Sequence, residues 1–382
     1  MSSGRTEEVS GAREEKIRRA KEPRQEPAAK GWWRYNRGMR VSHALGMLGL
    51  CTFGACGGVI SGAPDGGGGG AEAGTPPTAD AMTFAIHTLY LGETDRSGGY
   101  PSSTAWKSYG YNLDGLVTTN TATDVCTLAA GAPKMVQVDG NNGIDNSFGS
   151  TILPIVQTAA SEPTPSTQAS GNLQKGAWTV LIQVVGLSTD PAQSSTGLHA
   201  QIFAGGVYPG APAFDLSTNW PVLASSLADG ASIAKGAKTT YPSASISNGT
   251  FVSGPEAGSG ITIAVPFGPI SLPVTIHHAI VTFDHASPNE ASNGTIAGVI
   301  NPSEFLATFK ALAGIVSTSL CGSAFDGIAQ QILMCQDILL DGTNAPGQAC
   351  SGISIGVGFT AELVANPSTV QADPPPPPTP CP

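Results

Sequence analysis

Between residues 81 and 371 apolar side chains recur at every second position in a series of separate runs. These are MTFAIHTLYL (82–91), WTVLIQVVGL (178–187), GLHAQIFAGG (197–206), GITIAVPF (260–267), LPVTIHHAIVTFD (272–284), GTIAGVI (294–300) and ISIGVGFTAELV (353–364). A period of two marks a β-strand with one packed face, because successive side chains point to opposite sides of the sheet. Clusters of Gly, Pro, Asn and Ser separate the runs, and these residues favour turns. Parallel strands would need helical crossovers between them, and no helix-period segment stands there. The pattern predicts a mainly β domain over 81–366, an antiparallel β-sandwich of the jelly-roll or concanavalin-like kind.

The period changes near 302–340, where a two-helix insertion is predicted. Asn301-Pro302-Ser303-Glu304 reads as a cap, a proline at the first helical position and a glutamate three residues past the cap. Phe305, Leu306, Phe309, Leu312 and Ala313 then share one face, and Gly314 ends the helix. Ser323 with Asp326 opens a second helix, whose stripe Phe325, Ile328, Ile332, Cys335 and Ile338 runs towards Asp341-Gly342. Both stripes read as core, packing across one end or face of the sandwich. Residues 161–176 read as a mobile loop, and the proline-rich tail 367–382 as extended chain without a fold.

Charge divides the chain of 382 residues into unequal parts. Eleven of its eighteen Lys and Arg lie in residues 1–40, with six Glu and no Asp. From residue 57 onward seven Lys and Arg face twenty-two Asp and Glu, a balance of −15, and Arg96 is the single arginine. Such a body has no basic patch for phosphates, which excludes nucleic acid as a partner. The same scarcity disfavours an anionic small-molecule substrate.

Residues 40–60 follow the order of an export signal: a basic flank ending at Arg40, an apolar run from Ala44, then small residues. The run Ala44–Ile60 has 17 residues and five glycines, short of the ~20 apolar residues that span a bilayer. Phe53-Gly54-Ala55-Cys56 resembles the lipobox of bacterial lipoproteins, in which the cysteine is acylated and becomes the new amino terminus. Cys56 is the lipidation candidate; Cys51, preceded by bulky Leu50, leaves with the signal. The expected organisation is a charged leader (1–38), which a start at Met39 would remove from the product, a lipoprotein signal peptide (39–55), a lipidated cysteine with a glycine-rich tether (56–80), the β domain and the tail. The segments YLGETDRSGGYPSSTAWKSYGYNLDG (90–115), DGNNGIDNSFGSTILPI (139–155) and CSGISIGVGFTAELV (350–364) resemble those of uncharacterised Gly-rich lipoproteins of bacteria with complex envelopes. That resemblance assigns no activity. With Gly57 after the cysteine instead of aspartate, it implies an outer-membrane or cell-surface address, the membrane being reached through the lipid.

Export would place Cys126, Cys321, Cys335 and Cys350 where disulfides form. Were Ser323–Leu340 one continuous helix, Cys321 and Cys335 would stand about 20 Å apart, beyond the roughly 7 Å between Cα atoms that a disulfide allows. Two pairings remain: Cys335–Cys350 with Cys126–Cys321, favoured because its loop is short, or Cys321–Cys350 with Cys126–Cys335. Thiol-bound metal is disfavoured because no C-x-x-C pair exists.

Little else carries chemistry. Gly352-Ile353-Ser354-Ile355-Gly356 matches the G-x-S-x-G nucleophile elbow, but its alternation reads as strand. Asp139, Asn141 and Asp145 stand at the first, third and seventh positions of a calcium-loop opening, with Ser150 where the loop's closing glutamate belongs. An Asx-rich turn after a short strand, KMVQV, is the plainer reading of these residues; Asn112 and Asp114 would join only if the fold brought them near. His277 and His285 share a strand face but lie about 26 Å apart, too far for one metal. Trp106, Tyr109 and Tyr111 form an aromatic group that would either stack on sugars or plug a turn. The expected function is a non-catalytic binding or structural module of the envelope, glycan or calcium being its candidate ligands. The alternative is a secreted polysaccharide-directed hydrolase.

Overall fold

The computed structural model describes residues 81–159, 164–267 and 270–375. The leader, the signal, Cys56 with its tether, and Cys381 lie outside the described residues. The strands are β1 (Ala81–Tyr90), β2 (Thr179–Val185), β3 (Ser195–Gly205), β4 (Val222–Leu223), β5 (Thr239–Ser247), β6 (Thr250–Val252), β7 (Ile261–Phe267), β8 (Ile270–Ser287), β9 (Glu290–Ile300), β10 (Ile353–Val364) and β11 (Val370–Gln371). The helices are α1 (Leu153–Ala159), α2 (Pro165–Gln174), α3 (Pro302–Val316) and α4 (Ser323–Leu333).

The domain is mainly β, but the expected open sandwich is replaced by a closed barrel. Strand β3 is paired on both edges: Leu181 of β2 faces Phe203, and Tyr241 of β5 faces Ala200. The ring therefore runs β1–β2–β3–β5–β6–β8–β9–β10 and returns to β1, eight antiparallel strands with no free edge. Alternation fixes which side chains point inward in either architecture, but it does not say which edges pair, so the pattern alone could not separate the two.

Side chains fill the interior, as expected of eight strands. Phe283 stacks on Phe251 with ring centroids 4.6 Å apart and meets Phe84 at 5.6 Å. The Tyr241 hydroxyl donates to the Ala279 carbonyl at 3.0 Å. Each such buried aromatic contributes roughly 1.5–3 kcal/mol over an exposed one. A second apolar layer lies outside the wall, where Trp220, Val222 and Leu227 cover Leu181 and Phe203. Trp220 donates Nε1–H to the Gly206 carbonyl at 2.8 Å, satisfying its one donor.

The two ends of the barrel differ. At one end β1 begins, and the turns at 248–249 and 288–289 close the hairpins. At the other end lie all four described helices and the β7 hairpin. Serines of α2 fasten it to β1, the Ser166 hydroxyl accepting from Leu91 N at 2.8 Å and that of Ser170 from Leu89 N at 3.1 Å. Helix α3 has the predicted cap, Asn301 Oδ1 accepting from Ser303 N at 3.0 Å.

Several boundaries differ from expectation. The loop read at 161–176 contains α2, whose Thr164 cap and first-turn Pro165 were its available signals. Helix α4 stops at Leu333, short of 340. The first part of the tail is bound: β11 pairs in parallel with β4, and Val207 N donates to Gln371 Oε1 at 2.8 Å. The supposed strand KMVQV is a 3₁₀ turn over Lys134–Gln137.

Candidate functional site

The long connection 92–146 lies on the outer wall of β8–β10, and the residues singled out in the sequence hold it there. Arg96 donates to the Gly294 carbonyl and to Thr295 Oγ1, both at 2.8 Å, and its guanidinium lies 5.2 Å from the Tyr109 ring centre. Tyr109 is buried and donates its hydroxyl to the Thr94 carbonyl at 2.8 Å; Tyr111 shares a hydrogen bond with Thr282. Trp106 is 9% exposed and donates Nε1–H to the Ser103 carbonyl at 3.0 Å. Trp106 and Tyr109 plug turns, while Tyr111 is half-buried. Asn146 completes the clamp, its amide donating to the Tyr109 and Gly356 carbonyls at 3.0 Å while Oδ1 accepts from Gly149 N at 2.9 Å.

The fold brings Asp139 and Asp145 together and adds Asp114 and Asp337. Asp139 Oδ2 accepts from Thr118 N at 2.5 Å, and Asp145 Oδ2 from Leu113 N at 2.7 Å. Asp114 is held by the Asn344 amide at 2.8 Å, and Asp337 accepts from Ser354 N at 2.8 Å and from its hydroxyl at 2.5 Å. Burial is the main cause of the raised pKa values in this group. It lifts Asp139 to about 6, Asp337 to about 7 and Asp145, with repulsion from Asp114 and Asp337 added, to about 9. Asn141 does not join the group; its amide donates to Ser108 Oγ at 3.0 Å. Among the described residues no group of three or more His, Cys, Asp or Glu is arranged to hold a metal ion. The carboxyls act here as hydrogen-bond acceptors that tie three loop segments together.

Cys126 and Cys350 form a disulfide, so neither remaining pairing from the sequence occurs. Cys335 is buried with a free thiol, and Cys321 is itself disulfide-bonded, though not to any of these three. The elimination failed because it assumed that the four cysteines pair among themselves. Ser354 of the elbow-like motif is fully buried near the start of β10, within the strand and opposite Val299. His277 and His285 do not share a face: a bulge at His278 (φ 50°) reverses the alternation, leaving His277 outside against Glu304 at 2.7 Å and His285 inside.

An open cleft of about 320 Å³ lies at the helix end of the barrel, between the end of β3, the start of β5 and the β7 hairpin. It is lined by the half-buried Ala204 and Leu223 and by the buried Ile202, Phe203 and Ile261, together with the exposed Ser225, Ser259, Thr262 and Lys238. The backbone of Lys238 is fixed on both sides. Its N–H donates to the Ser226 carbonyl at 2.8 Å, and Gly258 (φ +144°) passes so close that a Cβ there would lie 2.2 Å from the Lys238 carbonyl oxygen. Sequence reasoning missed this site; its one signal was the pair Lys235 and Lys238 in a body with seven cations. Barrel mouths with apolar floors and a few convergent polar groups are common places for small ligands. Neither protein-family models, characterised proteins nor solved structures yield a match to this chain.

Proposed function

We propose that this chain is a lipid-anchored protein of the cell envelope whose barrel is a non-catalytic binding module for glycan. The observation that carries the reading is a cleft lined both by hydroxyl side chains and by the apolar Ala204 and Leu223, since sugars present both hydroxyls and apolar ring faces. The lipobox-like sequence at Cys56 supports the address. The filled interior leaves binding to the mouth and outer surface.

The test is a glycan array probed with the full chain in detergent, with calcium and with a chelator, alongside an assay for new reducing ends. Binding to a restricted set of glycans, unchanged by chelation and without cleavage, is expected. An array blank in both conditions defeats the binding reading. Steady release of reducing ends replaces it with the hydrolase.

A further inference from the structure

A lysine lining the cleft narrows the ligand class, an inference that rests on the glycan reading. Arg96 is committed to the wall of the barrel, Lys107 lies 5.7 Å from the Trp106 ring centre and Lys310 5.9 Å from that of Phe325. Lys134, Lys175, Lys235 and Lys238 are all exposed, and of these four Lys238 is the one that lines the cleft. It is exposed on the rim of the cleft, and the ion pairs among the described residues, His87–Glu362 and His277–Glu304, do not include it. Thr239 Oγ1 donates to the Gly260 carbonyl at 2.7 Å, and Thr240 and Ala257 exchange backbone bonds at 2.8 Å, so the strand that presents the lysine and the loop facing it form one fixed frame. A fixed frame lowers the ordering cost of binding.

We infer that the cleft holds one uronic-acid residue of a glycan, its carboxylate on the Lys238 ammonium and its hydroxyls among Ser225, Ser259 and Thr262. The volume lies at the low end of the about 300–1,000 Å³ of small-molecule sites, which suits one sugar ring whose neighbours continue into solvent. Scarcity of cations counts against ligands that need several; a single carboxylate needs one. Ala204 and Leu223 offer apolar surface to the face of the ring, and the hydroxyls distinguish a polyhydroxylated acid from a fatty acid.

The experiment is calorimetric titration of the full chain in detergent with a short oligogalacturonate, its methyl ester and octanoate. A hydrogen bond to a charged group predicts that the acid binds at least about tenfold tighter than the ester. Lys238→Met should erase that ratio and Lys238→Arg should keep most of it, both with an unchanged melting temperature because the side chain is exposed. Equal binding of acid and ester, or a ratio that survives Lys238→Met, overturns the inference, as does octanoate binding as tightly as the uronate. If neutral glycans bind on the array and the uronate does not, this inference falls while the glycan reading stands; if no glycan binds, both fall.

Discussion

Asp145 shows what a single side chain does in this molecule. Its folded pKa of about 9 lies far above the roughly 3.9 of an unfolded aspartate, and Asp337 and Asp139 are raised in the same direction. Between those limits the folded state binds protons that the unfolded chain has released, so stability is fullest below about pH 4 and declines as pH rises towards 9. We expect urea unfolding to show a domain less stable at pH 8 than at pH 5. Asp145→Asn keeps an acceptor for Leu113 N and removes the charge. It should raise stability at pH 8 by ~2 kcal/mol or more, since each tenfold difference in proton affinity between the folded and unfolded chain is worth about 1.4 kcal/mol. The gain should shrink towards pH 4. Wild-type stability that is flat or rising from pH 5 to 8 would sink this account. The closeness of Asp139 to Asp145 was legible because only the five residues of turn at 140–144 lie between them. Asp337 was not, because nothing in a local pattern brings a residue from beyond α4 to that loop.

Strand β10 shows how much an element's sequence can mislead. Gly352 and Gly356 imitate a catalytic motif, yet Gly356, with Gly358 beyond it, stands there because a loop crosses the strand. A Cβ on Gly356 would meet the Tyr109 carbonyl oxygen at 2.4 Å and Gly110 Cα at 2.5 Å; one on Gly358 would meet the Tyr109 ring at 2.4 Å. Both obstacles at Gly356 are backbone and cannot rotate away. Gly356→Ala should therefore destabilise by about 1–3 kcal/mol, as overpacking does, and speed proteolysis within 92–115. Gly327→Ala is the control: it lies within α4 with nothing near its would-be Cβ, and should be neutral or stabilising by up to about 1 kcal/mol. Equal melting of the two variants would remove the close-approach explanation. The disulfide fastens the same loop from its other side, with 224 residues between its partners. Replacing Cys126 and Cys350 together by alanine should cost about 4 kcal/mol in denaturant unfolding, and a cost near zero would show that hydrogen bonds alone hold the loop. Elements with strong local grammar were legible, such as α3 with its Asn cap. Helix α2 was hidden by its polar composition, since it packs through Ser166, Ala169 and Leu173. Strand β5, TTYPSASIS, was hidden because few of its inward residues are large.

At the scale of the whole molecule, closure depends on β3 serving two neighbours, a non-local fact that no periodicity expresses. Closure also gives the barrel a direction. Ala81 begins β1 at the turn end, while Phe203, Thr239 and Ile261 place the cleft at the helix end. The first described strand therefore begins at the end of the barrel away from the cleft in which we propose that glycan binds. The envelope reading depends on acylation at Cys56, for which the sequence offers Phe53-Gly54-Ala55-Cys56. Radiolabelled palmitate should enter the wild-type protein and should be lost on Cys56→Ala, with the protein shifting from the membrane fraction to the soluble one. Retained label after Cys56→Ala would move the anchor to another residue. Absence of label from the wild type would remove the anchor, and the envelope reading would have to be abandoned even if the cleft bound sugar.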